Sequence, residues 1–313
     1  MPGTRGWKRR QQDLVRAHLN EPRPEQAGQT FAQLILTERI EAWLRPHRSE
    51  TRHKLLSSIA NRLLHQPELP AAVVGDPLLR VRWLLEELAA GIALTQTGNL
   101  GQKFVQSAAE RFGWDFHRPP RSEDELYDLH QVRHLLQQLG LARRWGRKLA
   151  LTAKGRAALA DHETLWRTIA RGVLPERQFG AFAGELFLAV LVDVDSIPYD
   201  DIEATVVRTV AEEGFREVGT GEPPGERDVS LAIHTTLNLV RALGLLSRGA
   251  DWRDRSYGLT EAGKAVALEA LRARATGPPV RARWADATGP RAGWLESPRD
   301  FFQRISRDTR VQA

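Results

Sequence analysis

The sequence predicts a mainly α protein with small β-hairpins, in which two related units are joined by buried helices. Three observations carry this. Most of the chain places apolar residues at a helical period. Two short stretches, 141–151 and 245–259, instead read as strand, turn and strand. The same marks flank both. Leu139-Gly140-Leu141 and Leu243-Gly244-Leu245 precede the hairpins. Leucine-threonine-x-x-glycine-basic follows them, at 151–156 and again at 259–264. Two agreements at nearly constant offset indicate an internal duplication.

The elements follow in order. Residues 28–45 form an amphipathic helix through Phe31, Leu34, Ile35, Ile40, Trp43 and Leu44, stopped by Pro46. A second helix runs through Leu55, Leu56, Ile59 and Leu63 and ends before Pro67, and 67–77 is a proline-bounded linker. A helix over 78–90 has Trp83, Leu84 and Leu88 as its core, and another passes through Phe104, Val105, Ala108 and Phe112. After a polar loop at 113–121, Ser122 and Glu125 have the spacing of a capping box, which starts a helix at Glu123. That helix ends at Leu139-Gly140, where glycine can take the left-handed cap conformation. The hairpin 141–151 alternates around Gly146, and Thr152 caps a helix over 153–160. Helices over 163–172 and 176–194 join the copies. The second is apolar nearly all round and belongs in the middle of the molecule. A helix over 227–243, a hairpin whose turn holds Asp251 and Asp254, and a Thr260-capped helix over 261–272 complete the second copy.

Helix, glycine, hairpin and threonine-capped helix together resemble the second half of a winged-helix domain. MarR-like and PadR-like regulators carry a similar stretch. The resemblance spans 78–160 and, more loosely, 163–272, and it implies two winged-helix-like units. Leu94-Thr95-Gln96-Thr97-Gly98-Asn99-Leu100, followed by a helix, a long polar loop and the unit over 139–159, also resembles part of certain actinobacterial proteins. It is similar to the helical half of those plasmid- or transposon-associated proteins. There the half is joined to a separate small domain, for which residues 1–77 are too short and too helical. This second resemblance implies architecture and a mobile-element context. The expected organisation is a helical N-terminal extension over 1–77, a first unit over 78–160, a second over 161–272 and a basic tail over 273–313.

Composition narrows the function. There are no cysteines, which excludes disulfides, thiolate metal sites and a cysteine nucleophile. Residues 1–10 are charged with no apolar run behind them, so no signal peptide is expected, and no apolar run has membrane-spanning length. A cytoplasmic protein without membrane association is the expectation. Of the formal net charge of +6, residues 1–19 carry +4 and 272–313 carry +5, which leaves the body at −3. Basic ends favour polyanions.

The first unit supplies the candidate site. The helix over 123–139 buries Leu126, Leu129, Val132, Leu136 and Leu139, and sets Tyr127, Gln131, His134 and Gln138 on the opposite face. Neutral hydrogen-bonding side chains of this kind can read base edges in a major groove. Seven basic residues and no acid lie between Gln131 and Arg156. Arg143, Arg144, Arg147 and Lys148 fall on the hairpin, within reach of phosphates. The second unit offers Ser230, His234, Asn238 and Arg241 beside an acidic turn, a poorer reader that suits a structural part, a dimerisation surface or a degenerate copy.

Other clusters are weaker. His130 and His134 lack a third ligand at a recognisable spacing. Asp193, Asp195, Asp200 and Asp201 suit a helix end followed by a helix start. Residues 219–225 have neither the lysine nor the preceding strand of a phosphate loop, and no nucleophile elbow is present. Residues 301–305 form a short amphipathic piece. No catalytic residue, metal or cofactor is expected. The expected partner is double-stranded DNA. The competing expectation is a protein-interaction adaptor or homodimer scaffold on degenerate winged helices, suggested by the acidic body.

Overall fold

The computed structural model describes residues 30–45, 48–65, 78–114, 118–174, 178–217, 220–248 and 255–277. The expected linker over 67–77, the acidic turn at 251–254, both basic ends beyond these limits and the amphipathic piece at 301–305 lie outside the described residues. The fold is mainly α with two small antiparallel sheets of three strands each, the class that the periodicities predict.

Helices α1 (Phe31–Leu44) and α2 (Glu50–Leu64) open the described chain. Thr30 caps α1 in a reciprocal box with Gln33, and Ser49 caps α2. The first unit follows as α3 (Leu79–Ala89), β1 (Ile92–Ala93), α4 (Gln102–Arg111), a 3-10 turn (Glu123–Glu125), α5 (Tyr127–Gln138), β2 (Ala142–Trp145), β3 (Lys148–Leu151) and α6 (Ala153–Ala160). Helix α7 (His162–Gly172) leads to the second unit. This comprises α8 (Gln178–Val192), β4 (Ile197–Pro198), α9 (Tyr199–Glu213), α10 (Glu226–Ala242), β5 (Leu246–Arg248), β6 (Ser256–Leu259) and α11 (Glu261–Thr276). The sheets have the same strand order, β1–β3–β2 and β4–β6–β5. Helix, strand, helix, helix, hairpin and helix therefore occur twice.

The duplication extends to single hydrogen bonds. Gly140 and Gly244 close α5 and α10 with φ of +67° and +77°. The next residue folds back in both copies. Leu141 N–H donates to Leu136 O at 2.8 Å, and Leu245 N–H to Val240 O at 3.0 Å. After each hairpin a threonine hydroxyl accepts from the glycine three residues on, Gly155 N–H at 2.9 Å and Gly263 N–H at 3.0 Å. Those two glycines are packed alike. A Cβ on Gly155 would run into the carbonyl oxygen of Leu141, and one on Gly263 into that of Leu245.

One expected start is corrected. The helix predicted from Glu123 begins at Tyr127, and Ser122 makes no capping hydrogen bond. Glu123 is instead drawn inward. Its carboxylate is fully buried, accepts from Leu100 N–H at 2.7 Å and pairs with Arg133. This holds 123–125 in a tighter turn. Glu125 reaches back past Ser122 to accept from Arg121 N–H.

Helix α8 is the central element, with every residue from Ala183 to Val192 buried. It packs on α10, α11, α2 and α9. Its approach to α10 is close at Gly184, where any Cβ would meet Thr236. The two units touch through their third helices, α5 against α10. Arg80 of α3 donates to the α10 carbonyls of Arg241 and Ala242 at 2.9 and 2.8 Å, a cation at a helix C-terminus. Helices α1 and α2 cover α8 and α11, and their only charged core residue, Arg52, pairs with Glu185 of α8 at 2.9 Å. No described helix is long and apolar enough to cross a membrane.

Candidate nucleic-acid interface

Helix α5 buries Leu129, Val132, Leu135 and Leu136, with Leu126 buried just ahead of it. The opposite face carries the four residues read from the sequence. Tyr127 is 45 % exposed, His134 and Gln138 are exposed, and Gln131 is partly buried. The rings of Tyr127, His130 and His134 lie in a row along the helix, with centroids 6.5 and 6.3 Å apart and near-parallel planes. Gln138 Nε2 sits 3.0 Å from His134 Nε2. Desolvation, then the neighbouring His130 and Arg133, hold His134 below its ordinary pKa. That shift favours the neutral ring, which can both donate and accept.

The helix is anchored from behind. Arg133 lies 2.7 Å from the buried Glu123 and donates to Gly98 O at 2.9 Å. Burial lowers the Arg133 pKa, opposed by the carboxylates of Glu123 and Asp124. The turn Thr95–Gly98 is thereby fixed to α5. It closes on itself through Thr95 N–H to Asn99 O at 2.8 Å, with Gly98 at φ +87°. Arg133 is one of the seven basic residues between Gln131 and Arg156. The structure ties down this one and two more. Lys154 donates to Leu139 O at the end of α5, and Arg156 donates to Leu151 O.

The remaining four are those singled out on the hairpin. Arg143, Arg144, Arg147 and Lys148 are all exposed, and no ion pair among the described residues engages any of them. Strands β2 and β3 pair from Ala142 opposite Leu151 to Trp145 opposite Lys148. Gly146 and Arg147 make the two-residue turn, with Gly146 at φ +57° as a primed turn demands. Strand alternation sends Arg144 to the inner face, opposite buried Leu149. There its guanidinium lies against Gly98 and its Nε donates to Gly146 O at 2.9 Å. The outer face carries Arg143, Trp145 and Lys148. Trp145, 64 % exposed, was not singled out by sequence reading; its place between Arg144 and Gly146, on the outward register of the hairpin, was the available signal.

The second unit uses the same positions internally. Ser230 meets the hydroxyl of Tyr199 at 2.9 Å, and His234 stacks on the Tyr199 ring with centroids 5.3 Å apart. Asn238 is partly buried. Arg241 reaches across to Asp128 of α5 at 3.4 Å. Ser230 and His234 thus hold α10 to α9 within the second unit, and Arg241 ties that unit to the first.

The acidic residues around Pro198 are dispersed among separate partners. Asp193 accepts from Ser58 and Arg62, Asp195 pairs with Lys264 at 3.0 Å, and Asp200 lies 3.9 Å from Arg255. Asp201 sits in the first turn of α9. His130 faces Glu123 at 3.6 Å. Among the described residues no group of three or more metal-ligating side chains comes together.

Residues 76–164 match the family model of the Y4jL N-terminal domain, which spans the whole first unit and the start of α7. No curated protein and no solved structure matches the chain.

Proposed function

We propose that the first unit binds double-stranded DNA as a winged helix, with α5 directed at the major groove and the β2–β3 hairpin as the wing. The carrying observation is the hairpin itself, which presents four exposed cations, without ion-pair partners among the described residues, beside a helix face of neutral hydrogen-bonding groups. The element order and the strand order β1–β3–β2 support the reading. So does the stretch 129–160, which contains no acidic residue to repel phosphate. On this reading Tyr127, Gln131, His134 and Gln138 meet base edges, while Arg143, Arg144, Arg147 and Lys148 meet phosphates. The protein is then a cytoplasmic DNA-binding protein of regulatory or mobile-element type rather than an enzyme.

Salt dependence tests this. Each phosphate contact contributes about 0.9 to the slope of log K against log salt. Changing Arg143, Arg144, Arg147 and Lys148 together to alanine should lower that slope by about three to four units in fluorescence anisotropy with a duplex. An unchanged slope rejects the wing as the contact.

A second reading concerns the other unit. Its corresponding helix spends Ser230, His234 and Arg241 on internal partners, which favours a scaffold. If duplex affinity is absent at physiological salt, an adaptor or homodimer built on both units is the reading that remains, and light scattering would report the association.

A further inference from the structure

Trp145 has the greatest exposure of the large hydrophobic side chains in the described residues, 64 % against 47 % for Leu79 and 45 % for Tyr127. Two of these three lie on the candidate interface. An indole exposed to this degree keeps most of its apolar area available to a partner. Trp145 stands next to the hairpin turn, on the outer face of the wing, with Lys148 directly across from it. The Arg143 guanidinium carbon sits over its ring, 5.2 Å from the centroid. No other ring or cation meets it among the described residues. One face of the indole is thus covered by a cation, and the other meets no ring or cation among the described residues.

A one-faced platform suits one kind of target. A wedge inserted between two base pairs has to present two open faces, because each neighbouring pair stacks on one of them. A base at a duplex end, or an unpaired base beside a duplex, offers a single open face. Stacking on it needs a flat aromatic surface with cations nearby for the adjoining phosphates. Arg143 and Lys148 are the cations placed there.

We propose that Trp145 is a base-stacking platform, and that the first unit recognises DNA in which a duplex adjoins an opened base. This rests on the DNA-binding reading and adds a structural preference to it. The full chain is titrated into a covalently closed circular DNA and into the same circle carrying a short single-stranded gap, each competing with a labelled duplex bearing a single-stranded overhang. The gapped circle should compete about tenfold better than the closed one, the scale of one stacked base. Trp145→Ala should abolish that preference while leaving affinity for the closed circle within about twofold, since the indole adds only the stacked contact. Trp145→Phe should keep most of the preference. Equal competition by both circles, or equal losses on both with Trp145→Ala, would overturn the stacking role while the DNA-binding reading stands. Binding to neither circle removes both. Unfolding midpoints of the variants should match the parent, because the ring buries little surface.

Discussion

Glu123 shows how one side chain can set a local structure that its neighbours argue against. Ser122 and Glu125 have capping-box spacing, yet the helix starts later, because a buried cation and a free amide are waiting for Glu123. Its carboxylate holds Leu100 N–H, Arg133 and, more distantly, His130, so it links the turn after β1 to α5. Removing it leaves Arg133 buried without its counter-charge. Glu123→Ala should cost about 3–5 kcal/mol in urea unfolding. Adding Arg133→Leu to that variant should recover part of the loss, because the stranded charge is then gone. No sequence spacing announced this pair, since both the Ser122 pattern and the count of basic residues describe residues in isolation. Trp145 escaped for the same reason. Hydrophobic residues are expected inside, and only the register of the hairpin shows this one pointing out.

At the scale of elements the sequence was more informative. Helix periodicity, the two hairpins and the threonine caps depend on residues within a turn or two of one another, and all were legible. The junction from hairpin to helix is the most demanding of them. Thr152 satisfies the Gly155 amide, while Gly155 lets the helix sit against the Leu141 carbonyl. These are separable contributions. Thr152→Ala should cost about 1 kcal/mol, the usual worth of an N-cap. Gly155→Ala should cost more, about 2–3 kcal/mol, because a backbone carbonyl cannot swing aside as a side chain can. Gly140→Ala offers a contrast. Its Cβ would meet nothing, so the penalty there comes only from the positive φ, and about 1 kcal/mol is expected. Thermal or urea unfolding of the three variants gives the ranking directly.

Across the whole molecule, long-range packing decides what the N-terminal helices do. Sequence reading found no chemistry in them and set them apart as an extension. The structure packs them on α8, α9 and α11. Glu185 of α8 gathers Arg52 at 2.9 Å, Arg274 at 3.4 Å and the indole N–H of Trp43 at 3.3 Å. Arg39 donates to Thr276 O, and Arg272 donates to Leu63 O. These partners lie far apart in the chain, beyond the reach of any periodicity. A chain beginning at residue 78 would expose the faces of α8 and α11 that α1 and α2 cover. It should lose cooperative thermal unfolding and aggregate, whereas a chain that keeps residues 30–277 should melt in one transition. The central position of α8, by contrast, was legible from its apolar circumference alone.

The paired glycines, Gly155 and Gly263, also preserve a record of history. Both copies inherited a place where no side chain fits, and both still obey it. Their hairpins differ. One displays Arg143, Arg144, Arg147 and Lys148, while the sequence between the strands of the other holds Asp251 and Asp254. The outside of the second copy therefore differs from the first, while the joint beneath it is the same. A tightly packed joint constrains its residues in both copies, whereas an exposed hairpin face is held by no such packing.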